Sequence, residues 1–443
     1  MAIHLDATLM FADRVPDAIA LGLWQDAAPR FADAQGIVAR RRAHGELGFL
    51  DLATESAALD ELRRFADGVG QAFSDVVVLG IGGSALGAKL FRGALRPPAW
   101  NAMSDEAREY FPRLHVMDNI DPAELAALFD RIELARTLFL VVSKSGSTVE
   151  TLAQYLVVRE RLEQAVGAGY RRHLVFITDP DHGPLREIAR AEGIVSMDVP
   201  PNVGGRYSAL SPVGLLPAAL IGVDVAALLE GAAAMREQCA AWTPEESPAA
   251  KFALLQWLAD SELGLRTHVM MPYVAALREF TPWFAQLWAE SLGKQREDGR
   301  SAGPTPLAAL GVTDQHSQLQ LFLDGPRDKT VTFIAVAEHA VDLPIPHAHA
   351  DQPLLARLGG HSLGTLMDAE RRATASALAA HRRPSMTITL DRCDAWHVGG
   401  LVLMMELAAI YAGALYGVDP LDQPAVELGK RMAVNELDRK RGG

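Results

Sequence analysis

The chain has 443 residues, 49% hydrophobic and 22% charged, with a formal net charge of −13. That length suggests two or three domains, and that composition a globular protein with an ordinary core. The acidic balance argues against generic nucleic-acid binding, no stretch reaches the ~20 uninterrupted apolar residues of a membrane span, and two cysteines, Cys239 and Cys393, cannot build a disulfide framework in so long a chain.

The first residues, Met1-Ala2-Ile3-His4-Leu5-Asp6, have neither the basic nor the apolar region of a signal peptide, so the cytoplasm is the expected location. Residues 1–59 have a mostly helical pattern and are expected to pack on the second of two α/β domains. Residues 75–80, 136–142 and 173–178 are near-continuous apolar runs, as parallel strands covered on both faces should be. With strands at 114–117 and 194–199 and a helix at 150–163, they form βαβ units over about residues 60–211. Strands at 267–273 and 330–336 repeat the pattern, so a second α/β domain starts near residue 212.

The strand at 136–142 runs into Ser143-Lys144-Ser145-Gly146-Ser147-Thr148, and a helix starts near Val149. A helix N-terminus offers unpaired N–H groups and about half a positive charge. Four hydroxyls there can donate to phosphate oxygens, and Gly146 permits close backbone approach. An ordinary N-cap needs one hydroxyl, not four around a Gly and a Lys. Such a loop binds an anion with little charge of its own, which suits an acidic chain.

The strand at 75–80 ends in Gly80-Ile81-Gly82-Gly83-Ser84-Ala85. This matches a Gly-x-Gly-x-x-Ala dinucleotide fingerprint, with Asp118 as a candidate ribose ligand, but equally a structural tight turn. Asp118 lies beyond the usual ~20-residue offset. Ser84 adds a hydroxyl to the same crevice.

Candidates for acid–base chemistry come next. Gly204-Gly205-Arg206 can bring a permanent positive charge close to an oxyanion, although an Arg paired in a turn reads as well. Thr281 and Pro282 look like the N-cap and first residue of a helix running to Leu292. Gln286 and Glu290 share a face of it, next to Trp283, Leu287 and Trp288. Apolar company would make Glu290 a better base; alone, a solvated glutamate is the simpler reading. His316, after Thr313 and Asp314, is expected in a helix's first turn and neutral there. Gln423 and Lys430 face the same way on a C-terminal helix. His347, His349 and Asp351 resemble a metal pair without further ligands.

Taken in order, these motifs resemble the phosphoglucose isomerase family. The segments that carry the likeness are Val78-Leu79-Gly80-Ile81-Gly82-Gly83-Ser84, the loop 143–148, Asn202-Val203-Gly204-Gly205-Arg206-Tyr207-Ser208, Gln286-Leu287-Trp288-Ala289-Glu290-Ser291, Gly303-Pro304-Thr305-Pro306 with Asp314-Gln315-His316-Ser317-Gln318, and Asp422-Gln423-Pro424-Ala425-Val426-Glu427-Leu428-Gly429-Lys430. Leu421, Ala425 and Pro201 depart from the family pattern. The resemblance implies two doubly wound parallel-sheet sugar-isomerase (SIS-type) domains, each an αβα sandwich, with N-terminal helices and a C-terminal helical tail. It implies interconversion of glucose 6-phosphate and fructose 6-phosphate in glycolysis and gluconeogenesis, through ring opening and a cis-enediolate, with no cofactor and no metal ion. By the same likeness Ser84, Ser143, Ser145 and Thr148, with the backbone at Lys144, hold the substrate's phosphate, Gly205 belongs to the substrate-binding set, and Gln286 and Gln423 hold the sugar hydroxyls. Glu290 is the base and Arg206 the enediolate's partner. His316 and Lys430 assist ring opening, His316 reaching across a homodimer interface. Dehydrogenase and non-catalytic sugar-phosphate sensor are the competing expectations.

Overall fold

The computed structural model describes residues 3–54, 56–69, 72–240 and 243–426, with isolated positions beyond. In chain order the strands are β1 Ile3–Asp6, β2 Asp75–Leu79, β3 Arg113–Met117, β4 Thr137–Val142, β5 Leu174–Thr178, β6 Val195–Asp198, β7 Thr267–Pro272, β8 Lys294–Gln295, β9 Ser301–Ala302, β10 Thr305–Ala308, β11 Lys329–Glu338 and β12 Ser385–Arg392.

One sheet has the order β3-β2-β4-β5-β6, with every neighbouring pair parallel. β2, β4 and β5 are buried along their whole length, which is why they read as unbroken apolar runs. The chain steps outward from β2 to β3, then returns to lay β4 on the other side of β2. That reversal opens a crevice beyond the carboxyl ends of β2 and β4. The glycine turn and the serine loop leave from those two ends.

The second sheet has the order β1-β12-β11-β7-β10, parallel except for β1, which runs antiparallel to β12. β1 adds a strand to the mostly helical N-terminal segment. Its four residues alternate buried and exposed, the period of a half-covered strand, too short a signal ahead of the helices Leu21–Asp26 and Ala28–Ala43. β10 carries no clear strand signal in the sequence, because Pro306 interrupts it. A proline is tolerated there because β10 is an edge strand, where a missing donor costs little. The α/β class with parallel-sheet layers is as expected.

Helix Ala395–Tyr416 runs through the interior, with helices Val225–Gln238, Pro248–Ser261, Phe280–Leu292 and Ala28–Ala43 packed around it. It is long and apolar enough to cross a membrane, yet it is buried inside the protein. In the sequence, Glu406 breaks its apolar run. One continuous core contains Val76 and Leu140 of the first sheet and Ile388 and Leu390 of the second. Helix Gly83–Leu95, which follows β2, packs on Phe280–Leu292. That contact carries the first sheet's crevice to the helix bearing Glu290.

Candidate active site

β4 delivers Ser143 buried at 1% exposure, and the loop then turns outward at Gly146, whose φ is +66°. A Cβ at Gly146 would sit 3.1 Å from Thr178 Oγ1 and 3.3 Å from the Leu185 nitrogen, so the turn suits glycine on both counts. Ser143 Oγ and Thr148 Oγ1 are 2.8 Å apart, and Ser145 Oγ accepts from the Ser147 hydroxyl at 3.0 Å. Thr148 is the N-cap residue of helix Val149–Val166, but its side chain makes no capping bond. The hydroxyls therefore bond one another at a helix start and are not spent on closing it. The Lys144 ammonium turns away and donates to the Pro201 carbonyl at 2.8 Å. Burial lowers its pKa, against the pull of Asp179.

The glycine turn abuts two other motifs. A Cβ on Gly83 would lie 2.2 Å from the Gly205 carbonyl oxygen, and one on Gly82 would lie 2.8 Å from Gln286 Nε2. Packing against these groups accounts for the glycines without a dinucleotide. Asp118, the candidate ribose ligand, is held by Lys89 Nζ at 2.7 Å. Ser84 stands in the first turn of helix Gly83–Leu95.

Gly205–Tyr207 forms a single 3-10 turn that buries Arg206 at 3% exposure. Its guanidinium is fully engaged. Nε donates to Ser291 Oγ at 2.8 Å, Nη1 to Gln423 Oε1, and Nη2 to the Pro420 and Asp422 carbonyls. Nη1 also lies 3.5 Å from Glu290 Oε2. Gln286 Nε2 donates to Glu290 Oε1 at 3.1 Å. Base candidate, cation and two amides thus share one cluster.

The helix bearing Glu290 differs from expectation in two respects. It spans Phe280–Leu292 with Glu279 as N-cap, so Thr281 and Pro282 lie inside it. Thr281 Oγ1 donates backward to the Arg278 carbonyl, and Pro282 stays within the first turn, where N–H groups lack partners anyway. The apolar company faces the other way: Trp283, Leu287 and Trp288 are at most 2% exposed. Trp288 stacks on Phe284 and donates to His268. Glu290, one third exposed, meets Arg206 and Gln286 instead.

His316 ends the 3-10 turn Thr313–His316, ahead of the short helix Leu319–Asp324. It is therefore not in a helix's first turn, because Asp314 closes the turn by accepting from the Leu310 amide at 2.7 Å and from the Ser317 hydroxyl. Its ring is exposed. Among the described residues it makes no hydrogen bond or ion pair to the cluster. Lys430 lies outside the described residues. No group of three metal-ligating side chains gathers among the described residues, and the His347 ring packs against Gly359 and Gly360.

Several members of the site were not anticipated. Tyr207 bonds Ser291 Oγ at 2.9 Å and donates to the Pro420 carbonyl at 3.2 Å, and burial pushes its phenol up to about 12. Lys294 grips residues 419–422 from below. Ser291 and Lys294 follow Glu290 in sequence, but nothing local distinguishes them; the signal is the fold that returns residues 417–423 to them.

Comparison with known proteins agrees with this arrangement. Residues 61–442 match the phosphoglucose isomerase family. The chain is 47% identical to a glucose-6-phosphate isomerase of Rubrobacter xylanophilus over 83% of each chain. It is 41% identical to one of Carboxydothermus hydrogenoformans over 93% of this chain and 89% of the other. The crystal structure of a glucose-6-phosphate isomerase from Chlamydia trachomatis superposes with a TM-score of 0.75 at 26% identity, covering 88% of this chain and 74% of that one.

Proposed function

We propose a mechanism from a settled premise: the chain belongs to the phosphoglucose isomerase family, and it is an aldose–ketose isomerase that interconverts glucose 6-phosphate and fructose 6-phosphate. The observation that carries the mechanism is the facing of Arg206 Nη1 and Glu290 Oε2 across 3.5 Å. Isomerisation removes a proton from a carbon beside a carbonyl, so a base and a fixed cation must meet the same two-carbon unit. Glu290 carries the proton between C2 and C1, and Arg206 stabilises the cis-enediolate oxygen. A positioned base contributes ~10²–10⁴-fold, and an oxyanion partner roughly 3–4 kcal/mol.

Ser84, Ser143, Ser145 and Thr148, with the backbone at Lys144 and Gly205, hold the phosphate. Their common crevice at the switch between β2 and β4 supports this. Gln286 and Gln423 hold sugar hydroxyls. Lys430 and His316 open the ring, His316 supplied by the second subunit of a homodimer; its exposed position, with no bond to this chain's own cluster among the described residues, fits such a donation. We divide the chain into a phosphate-loop domain at about residues 60–211 and a second domain of about residues 1–59 with 212–443, a division that the pairing of β1 with β12 supports. The enzyme works in the cytoplasm on a small sugar phosphate, with no nucleic-acid or membrane partner and neither cofactor nor metal.

Incubation with fructose 6-phosphate in D2O should yield glucose 6-phosphate deuterated at C2, read by NMR. Glu290→Gln should lose at least ~100-fold in kcat while KM stays near normal. Near-normal turnover by this variant would remove Glu290 as the base.

A further inference from the structure

The residues that bind substrate and move its proton do not hold themselves in place. Helix Phe280–Leu292 ends at Gly293, and the next residue, Lys294, opens the β8–β9 hairpin. Its side chain is 10% exposed and points at residues 419–422. An ammonium has three N–H donors, and here each has an acceptor: the Asp419 carbonyl, the Asp422 carbonyl at 2.7 Å and Asp422 Oδ1 at 2.7 Å.

The same turn is what Arg206 grips from the other side. The Asp422 carbonyl takes Lys294 Nζ and Arg206 Nη2, the latter at 2.9 Å, which uses both of its lone pairs. The Pro420 carbonyl takes Arg206 Nη2 and the Tyr207 hydroxyl. Gln423, the next residue, meets Arg206 Nη1.

We propose that Lys294 is a positioning residue: it pins the turn at 419–422, and through that turn sets where Gln423 lies and how the Nη1 edge of Arg206 faces Glu290. The proposal rests on the isomerase mechanism above. Without the ammonium, the turn's carbonyls keep Arg206 and Tyr207, and Arg41 still holds the Asp419 carboxylate, but among the described residues Arg206 Nη2 alone serves the Asp422 carbonyl. The guanidinium is then drawn toward the turn and away from Glu290. A displacement of about 1 Å at a reacting centre costs up to ~100-fold in rate. Lys294 makes no hydrogen bond or ion pair to the loop 143–148 among the described residues, so phosphate binding should be spared.

The test is steady-state isomerisation by wild type, Lys294→Met and Lys294→Ala, with folding checked by circular dichroism. Lys294→Met keeps the apolar stem and removes only the donors. We expect its kcat to fall about 10–100-fold with KM within about threefold. Propylammonium should restore Lys294→Ala turnover saturably, which loss of packing alone would not allow. A Met variant with kcat within about twofold of wild type, or one whose loss is all in KM, overturns the proposal. So does a folded Ala variant that propylammonium leaves unchanged; if the Ala variant does not fold, the Met variant decides alone. Wild type inactive on fructose 6-phosphate would instead sink the mechanism, and the proposal with it.

Discussion

Glu406 sits mid-way along the buried helix Ala395–Tyr416 at 0% exposure, and neither of its carboxyl oxygens has a hydrogen-bond partner among the described residues. Burial pushes its pKa well above the ordinary value. The sign of the consequence follows. In the unfolded chain the group ionises near pH 4.3, while inside the fold burial makes it hold its proton to higher pH. Its contribution to stability is complete below about pH 4.3 and is lost as pH rises toward the folded-state pKa, because only the unfolded state sheds the proton. One such proton costs about 1.4 kcal/mol per pH unit. Glu406→Gln cannot ionise, so it removes the slope, and its amide is buried without partners just as the protonated carboxyl is, so that fixed cost is nearly common to both proteins. The variant should melt close to or slightly above wild type at pH 5 and gain on it by about 1.4 kcal/mol for each pH unit above that, until the folded-state pKa is reached. Thermal melts of both proteins at equal concentration and pH 5, 6 and 7 read this directly. A melting difference that is the same at all three would mean that Glu406 is ionised in the fold, and the reasoning fails.

Other parts of the fold give further expectations. Gly83→Ala would place a Cβ 2.2 Å from the Gly205 carbonyl oxygen, prising the turn that carries Arg206 from helix Gly83–Leu95. We expect kcat to drop at least ~10-fold, and wild-type turnover would show that the two turns need not touch. Ser145→Ala combined with Thr148→Ala should raise KM for fructose 6-phosphate and leave kcat within a few-fold; an unchanged KM refutes the loop's role. Asp75, 0% exposed, accepts from Arg113 at 2.8 and 2.9 Å and bonds His115 at 2.9 Å. Burial raises its pKa, but the bonds from His115 and Arg113 outweigh that and hold it below the usual carboxylate value. Its stabilisation is therefore present above about pH 3.9 and lost as pH falls below that. Asp75→Asn should cost up to about 3 kcal/mol at pH 7, the low end for a broken buried pair because Arg113 is partly exposed, and should flatten the acid limb of the stability profile. A melt unchanged at pH 7 would contradict this.

The sequence was most legible where burial is two-sided. β2, β4 and β5 are enclosed on both faces, so composition alone marks them, and the loops after β2 and β4 then had to lie at one sheet edge. It was least legible where a partner distant in sequence decides the outcome. β1 is defined by β12, far along the chain. The surroundings of Glu290 were misread because helical periodicity tells which residues share a face, not which face meets the core. Trp283, Leu287 and Trp288 turn inward, and what meets Glu290 is Arg206, placed there by a glycine contact between two turns. Gln423 reads as part of a C-terminal helix, and nothing local marks residues 419–423 as acceptors for Arg206, Tyr207 and Lys294.

These positions bear on how an acidic protein can serve an anionic substrate. Lys144, the cation within the serine loop, spends its charge on the Pro201 carbonyl, so on the proposed assignment the phosphate end is left to hydroxyls, backbone amides and two helix starts. The fixed charges lie instead with the other half, Arg206 facing Glu290 and Lys294 on the turn that Arg206 grips, each neutralised in part by backbone carbonyls. Binding energy from the phosphate end is then nearly the same for ground state and transition state, whereas a guanidinium beside the two-carbon unit favours the enediolate selectively. That division predicts opposite kinetic signatures for the two halves: loop variants should act on KM, and variants around Arg206 on kcat. If substitutions in the loop and around Arg206 were to change KM and kcat in the same proportion, the two halves would not be separable and the division would be wrong.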